Sequence, residues 1–229
     1  ELYKTNLIGA DLREANLRRA SCIKADFSKA DLRGAIFEGA QLGEYRKIKE
    51  QRHNGYFTNE EFRLHKGSLC SAHFVGANLS GLDFTNMHFG DANFTDADIS
   101  GVIFRGCHLR GANFQGQNLS GLDLSNSFVK NADFSGANLE STSLYFCRGE
   151  KAIFRDANLL NADLRLSDFQ GAHFSGANLS NANLSAKKLL GTSHTNTQYD
   201  PLNWSRFHHA GFDGANLSSA NLRLASCHA

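Results

Sequence analysis

The chain is short of most features that would announce a chemistry. Its formal charge is +1 over 229 residues, so no strong overall field draws it to nucleic acid or to an anionic membrane. The imbalance between its ends is small: 13 Lys/Arg stand against 10 Asp/Glu up to Gly67, and 11 against 13 beyond it. No apolar run approaches the roughly 18 residues of a membrane span. Proline and tryptophan occur once each, at Pro201 and Trp204. The five cysteines, Cys22, Cys70, Cys107, Cys147 and Cys227, are an odd set without regular spacing. That argues for free thiols and a reducing, cytoplasmic compartment. No HExxH, Walker phosphate loop, GxSxG or CxxC is present. The ten histidines are scattered, and neither "RFHHA" nor the pairs Cys107–His108 and Cys227–His228 has structural-zinc spacing. We therefore assign no catalytic residue, cofactor or metal ligand, and read the chain as a non-enzyme.

What is abundant is a period. Every fifth residue from Leu2 to Leu42 is a core-type side chain, and the rule resumes from Leu69 to Leu189. "ADLREANLRRA" and "ADFSGANLESTSL" show the unit: Ala, then Asp or Asn, then Leu or Phe, then two mostly polar positions. Five matches neither the helical 3.6 nor the strand 2. It fits a chain that turns a corner every five residues, with the large residue and the Ala two before it both pointing inward. Four pentads then close one coil of 20 residues, and coils stack at about 4.8 Å into a parallel β-helix. Asp and Asn before each centre suit side chain-to-backbone bonds at the corners. Gly at the pentad end suits a positive φ. Outward carboxylates such as Asp83, Asp123 and Asp163 follow from the repeat and need no acid–base role.

These residues carry the signature A(D/N)LXX, and the chain closely resembles the pentapeptide-repeat family outside its interruptions. The resemblance implies an all-β fold, a right-handed quadrilateral parallel β-helix. A 20-residue coil also predicts columns. Phe74, Phe94, Phe114, Phe134, Phe154 and Phe174 stack in one; Leu79, Ile99, Leu119, Leu139, Leu159 and Leu179 stack in the next. The forty centres make about ten coils, a single domain over 1–229 on the order of 48 Å long. Cys107 and Cys147 share a column two coils, ~9.6 Å, apart. That is too far for a disulfide, so they read as small core residues.

Three interruptions stand out, and function on a repeat scaffold concentrates in such places. From Leu42 to Leu69 the step is 22 residues longer than one pentad. This insertion, 43–68, is charged and aromatic. Thr58 with Glu61 makes a capping box opening a short helix that Gly67 could close, and a second helix is expected from Glu44 to about His53. Tyr45, Tyr56, Phe57 and Phe62 are candidate partner anchors, ringed by Arg46, Lys47, Lys49 and Arg52. A solvated surface insertion is the equal alternative. The second interruption, about 190–206, offers Tyr199 and Trp204, which could equally plug the base of their own loop. The third is local. Near "LYFCRGEK" the expected centre is Gly149, while Tyr145 and Phe146 fall at outward positions, and a bulge is expected.

The sequence points first to a non-catalytic protein–protein interaction scaffold with a protein partner, no direct nucleic-acid binding and no membrane span. Two alternatives come from the resemblance. One is the topoisomerase-binding, DNA-mimicking type of the quinolone-resistance group, which the two loops suit and the net charge does not. The other is the substrate-binding part of a bacterial effector, secreted into a host cell and in some cases joined to a HECT-type ubiquitin ligase. The chain opens inside a repeat at Glu1, and neither that end nor "NLRLASCHA" looks like a polar cap. An adjoining domain, a missing cap or end-to-end association is therefore expected.

Overall fold

The computed structural model describes residues 1–42, 69–186, 205–223 and 225. Within them the chain turns every five residues and lies on itself every twenty. Asp11, Asp31, His73, Asn93, Asn113, Asp133, Ile153, His173 and Gly211 form one unbroken column of parallel bridges, nine rungs high. Eight intervals of about 4.8 Å make that column about 38 Å long. Three of the forty centres counted above, Leu189, Leu202 and Cys227, lie outside the described residues.

Four such columns give the solenoid four faces. Face 1 carries His88, His108, Phe128, Arg148, Asp168 and Arg206 outward; face 2 is the Asp11–Gly211 column. Face 3 carries Asn118, Asn138, Asn158, Asn178 and Asn216. Face 4 carries Asp83, Ile103, Asp123, Ser143, Asp163, Asn183 and Asn221. The ladder is that of a parallel sheet: the Asn93 carbonyl accepts from Phe74 N–H (2.8 Å), and Asn93 N–H donates to the Ala72 carbonyl (2.9 Å).

Each corner is a tight turn. The N–H of the residue three after a centre donates to that centre's carbonyl, as Ala77 does to Phe74 (2.8 Å) and Ala132 to Val129 (3.0 Å). The residue before it has a positive φ, whether glycine (Gly76, 69°) or not (Asn131, 57°). A positive φ at the third turn position is the mark of a type II turn. Glycine is the minority there: 20 described positions of this kind carry another residue and 14 carry Gly. Asp and Asn reinforce the corner from the position before the centre. Ser135 N–H donates to Asp133 Oδ1 at 2.9 Å and Ser80 N–H to Asn78 Oδ1 at 3.1 Å. Asp83, Asp123 and Asp163 do the same for Thr85, Ser125 and Arg165, so these carboxylates serve the turns as the repeat required.

The interior is the stacked centres. The phenylalanine rings of the predicted column lie nearly parallel, with centroids 4.6–5.2 Å apart from Phe74 to Phe174. The ladder continues past its predicted end, because Phe212 stacks on Phe174 at 5.0 Å and 5°. Several buried polar side chains sit in the small inward slot and reach a carbonyl one coil back. Ser127 Oγ donates to Phe104 O (2.8 Å), Thr142 Oγ1 to Leu119 O (2.7 Å) and Gln117 Nε2 to Phe94 O (2.6 Å). The usual penalty for burying them is thereby avoided.

Both long interruptions respect this register. From Asp31 to His73 is 42 residues, twenty-two more than a coil, and from Asp168 to Arg206 is 38, eighteen more. Both leave face 4, after Leu42 and after Ala186, and rejoin at face 1. They thus share one corner, six coils or about 29 Å apart. Phe207 takes the place beside Phe169 (5.9 Å), and Arg206 resumes face 1, inside the segment expected to be inserted. Eighteen is not a multiple of five, which is why the centres change phase there. No helix occurs among the described residues, and the two short helices expected within 43–68 fall outside them.

Phe114 is fully buried between Phe94 and Phe134. Phe114→Ala should cost about 3–5 kcal/mol, read as a lowered denaturation midpoint; an unchanged midpoint contradicts the ladder. Ser141 is exposed with φ at 57°. A left-handed residue costs about 1–2 kcal/mol and added chain freedom returns about 0.4–1, so Ser141→Gly should raise the midpoint slightly and Ser141→Val lower it.

Candidate binding face

Of the predicted anchors, Tyr45, Arg46, Lys47, Lys49, Arg52, Tyr56, Phe57, Phe62, Tyr199 and Trp204 lie outside the described residues. Tyr145 and Phe146 are described. They occupy the corner between faces 4 and 1, half-buried, with rings 6.2 Å apart. No bulge puts them there. Gly149 keeps its place as a centre, its N–H bonding the Asp168 carbonyl at 2.6 Å, and Arg148 bridges Phe128 and Asp168 in register. A Cβ on Gly149 would collide with the Phe169 ring and stand 3.0 Å from Val129 Cγ2. Phe169 from the next coil fills the room that a large centre would have taken, so the backbone need not bulge.

Tyr145 and Phe146 border a column that position-by-position reading missed. On face 1 the imidazoles of His88 and His108 stack at 4.4 Å and 4°, and Phe128 stacks on His108 at 4.6 Å. The Arg148 guanidinium lies 5.3 Å from the Phe128 centroid, a cation–π contact worth ~0.5–1 kcal/mol at an exposed site. At the far end Arg206 Nη2 meets Asp168 Oδ2 at 2.5 Å, tying the coils on either side of the second interruption. Beside it, Arg165 covers the Tyr145 ring at 5.6 Å.

The charges of the body are sorted by side. From Leu69 onward the described residues include nine Lys/Arg. Arg148 and Arg206 stand on face 1; Arg105, Arg165 and Arg223 follow face 4 centres at the corner into face 1; Arg110, Lys130 and Lys151 stand at the corner out of it. Only Arg155, at the corner between faces 2 and 3, is elsewhere. Of twelve Asp/Glu in the same stretch, only Asp91, Glu150 and Asp168 share that side. Face 1 with its corners is therefore net +5 (eight less three), and the rest of the body net −8 (one less nine). Laying the sequence out in rows of twenty would have exposed this sorting; totals over the chain cancel it.

Among the described residues, no three His, Cys, Asp or Glu converge where a metal ion could sit. No disulfide joins any two of Cys22, Cys70, Cys107 and Cys147 among the described residues. Burial pushes the Cys22 thiol up to about 11 and that of Cys147 up to about 12, which suppresses the thiolate. Cys107 and Cys147 sit in the small inward slot with Ser127 between them, each donating to a carbonyl, Phe84 O at 2.9 Å and Leu124 O at 3.1 Å. Asp11–Arg13 and Asp31–Arg33 are exposed pairs within their own pentads; the Arg13 hydrogen bond holds the Asp11 carboxyl down at about 2.

Comparison with known proteins agrees with the architecture. The family model "Pentapeptide repeats" matches in eight copies across residues 1–43 and 72–185. No curated protein matches. Among solved structures, the chain is similar to HetL, a pentapeptide repeat protein involved in heterocyst differentiation regulation in the cyanobacterium Nostoc. The two are 23% identical, the match covers 95% of this chain and 88% of HetL, and the TM-score is 0.62. A pentapeptide repeat protein of the Arabidopsis thaliana thylakoid lumen is 30% identical over 47% of this chain and 66% of its own, with a TM-score of 0.34. The plasmid-mediated fluoroquinolone resistance protein QnrB1 is 20% identical over 94% of this chain and 84% of its own, with a TM-score of 0.37.

Gly149→Ala should cost about 1–3 kcal/mol of stability, the range for overpacking a dense core, read as a lowered denaturation midpoint. In a Phe169→Leu background the same change should cost much less. Equal costs in both backgrounds would mean that the Phe169 ring does not fill the Gly149 site.

Proposed function

The chain belongs to the pentapeptide-repeat family, whose solved members are right-handed quadrilateral β-helices, and we propose that it works as a non-catalytic protein–protein interaction scaffold. The carrying observation is the sorting of side chains on a rigid rod. Among the described residues from Leu69 onward, inward positions are committed to packing, faces 3 and 4 are mostly Asn, Ser and Asp engaged in turns and ladders, and stacked rings gather with most of the arginines on face 1 and its corners. Those are the residue types that dominate protein interfaces. The family members HetL and QnrB1 lend the architecture only; which partner is held follows from this chain's own surface.

The DNA-mimic reading fares worse on magnitudes. B-DNA presents about one charge per 1.7 Å, or about 17 over a 29 Å stretch. The acidic side here carries a net −8 spread around three faces.

A photo-crosslinking amino acid placed in turn at Phe128, Asn113, Asn158 and Ser143 probes one face each. In an extract of the source cells, one position should capture a protein that the other three do not. Capture from none, or equally from all four, overturns the scaffold reading.

A further inference from the structure

Among the described residues, three arginines are neutralised within their own pentad. Arg13, Arg33 and Arg165 each fold back on an aspartate two residues earlier, at 2.6 Å from Asp11, Asp31 and Asp163. The device is available wherever Asp precedes a centre and Arg follows it. On the basic side of the body Arg165 uses it, but the cations nearest the ring column do not. The residue two before Arg105 is Ile103, before Arg110 is His108, and before Lys130 is Phe128. These three cations and Arg148 are exposed, and among the described residues none has a carboxylate within ion-pair distance. Where a neutralising carboxylate would stand, the chain places rings that stack into a column (His108 on Phe128, 4.6 Å) and an isoleucine 39% exposed. The result is uncompensated positive charge set on an aromatic, partly apolar strip, between the two points where the insertions leave the rod.

Resting on the scaffold reading above, we infer that face 1 with its two corners docks an acidic protein surface, its carboxylates received by Arg105, Arg110, Lys130 and Arg148. Guanidinium forks bind carboxylates bidentately, and the ring strip supplies the desolvated centre that makes such pairs count. Phosphates would satisfy the same cations. However, Asp91, Glu150 and Asp168 stand on the same side. A nucleic acid, negative throughout, is repelled by all three, whereas a protein surface can set a lysine or arginine opposite each. Mixed charge therefore favours a protein over a polynucleotide.

The test uses a fluorescent Glu-rich peptide and an oligo-dT of equal formal charge, titrated by anisotropy into the full chain at low and at moderate salt. The peptide should bind the more tightly, and more weakly as salt rises. The double substitution Arg110→Glu/Arg148→Glu should weaken it on the order of tenfold or more. Arg155→Glu, the same kind of change on the other side, should leave it within about twofold. Both variants alter exposed side chains only, and thermal unfolding checks that they fold. Tighter binding of oligo-dT, no binding of the peptide, or equal loss in Arg155→Glu overturns the proposal. So does a sedimentation mass of a dimer that Arg148→Glu abolishes, since the occupant would then be a second copy. Crosslinks captured at Asn158 but not at Phe128 would sink this docking site and leave the scaffold reading standing; capture at none of the four positions would sink both.

Discussion

Register at twenty residues is the constraint on which everything else depends. Each backbone amide in a wall bonds to the coil above or below, and each centre rests on the centre of the next coil. A single added residue in one face would break the bonds of that wall and turn an inward side chain out. The chain accepts insertions of eighteen and twenty-two residues only because both return to the place where face 1 begins. Across each seam the ladder closes as though nothing intervened: Asp31 bridges His73, and Phe174 stacks on Phe212.

That constraint divides the residues by freedom. Centres must be large and apolar, the slot two before them small, and the position two after them able to hold a positive φ. Departures survive when a neighbour compensates. Gly149 leaves a centre empty and Phe169 enters it; Ser127 and Thr142 replace alanine and reach a carbonyl one coil back. Such exchanges keep the rod regular, so its outer columns can vary without disturbing it. There a choice of Phe128 over Asp changes the charge and polarity of the surface and little of what holds the coil.

Much of this was legible beforehand, for a physical reason. A period of five with small and large residues two apart has one economical packing, so the phenylalanine column and the turn role of Asp83, Asp123 and Asp163 could be read directly. The irregularity at Gly149 was misread as a bulge, because one pentad does not reveal which side chain of the next coil fills a gap. The end of the ladder was misplaced because an insertion that is not a multiple of five resets the count, and only bridging shows that Phe212 continues Phe174.

By itself, then, the sequence determined the coil, its interior and its corners, since these are local repeats of one pattern under close-packing. The tertiary structure alone decided what lies beside what on the outside. Arg110, Lys130, Arg148 and Arg165 are scattered along the chain among acidic residues, and their sum is nearly cancelled. Winding at twenty residues per coil brings them to one side and sends most carboxylates to the other. Charge acts through space, over about 8–10 Å in physiological salt, and not along the chain; only the stacked coils fix which charges are that close.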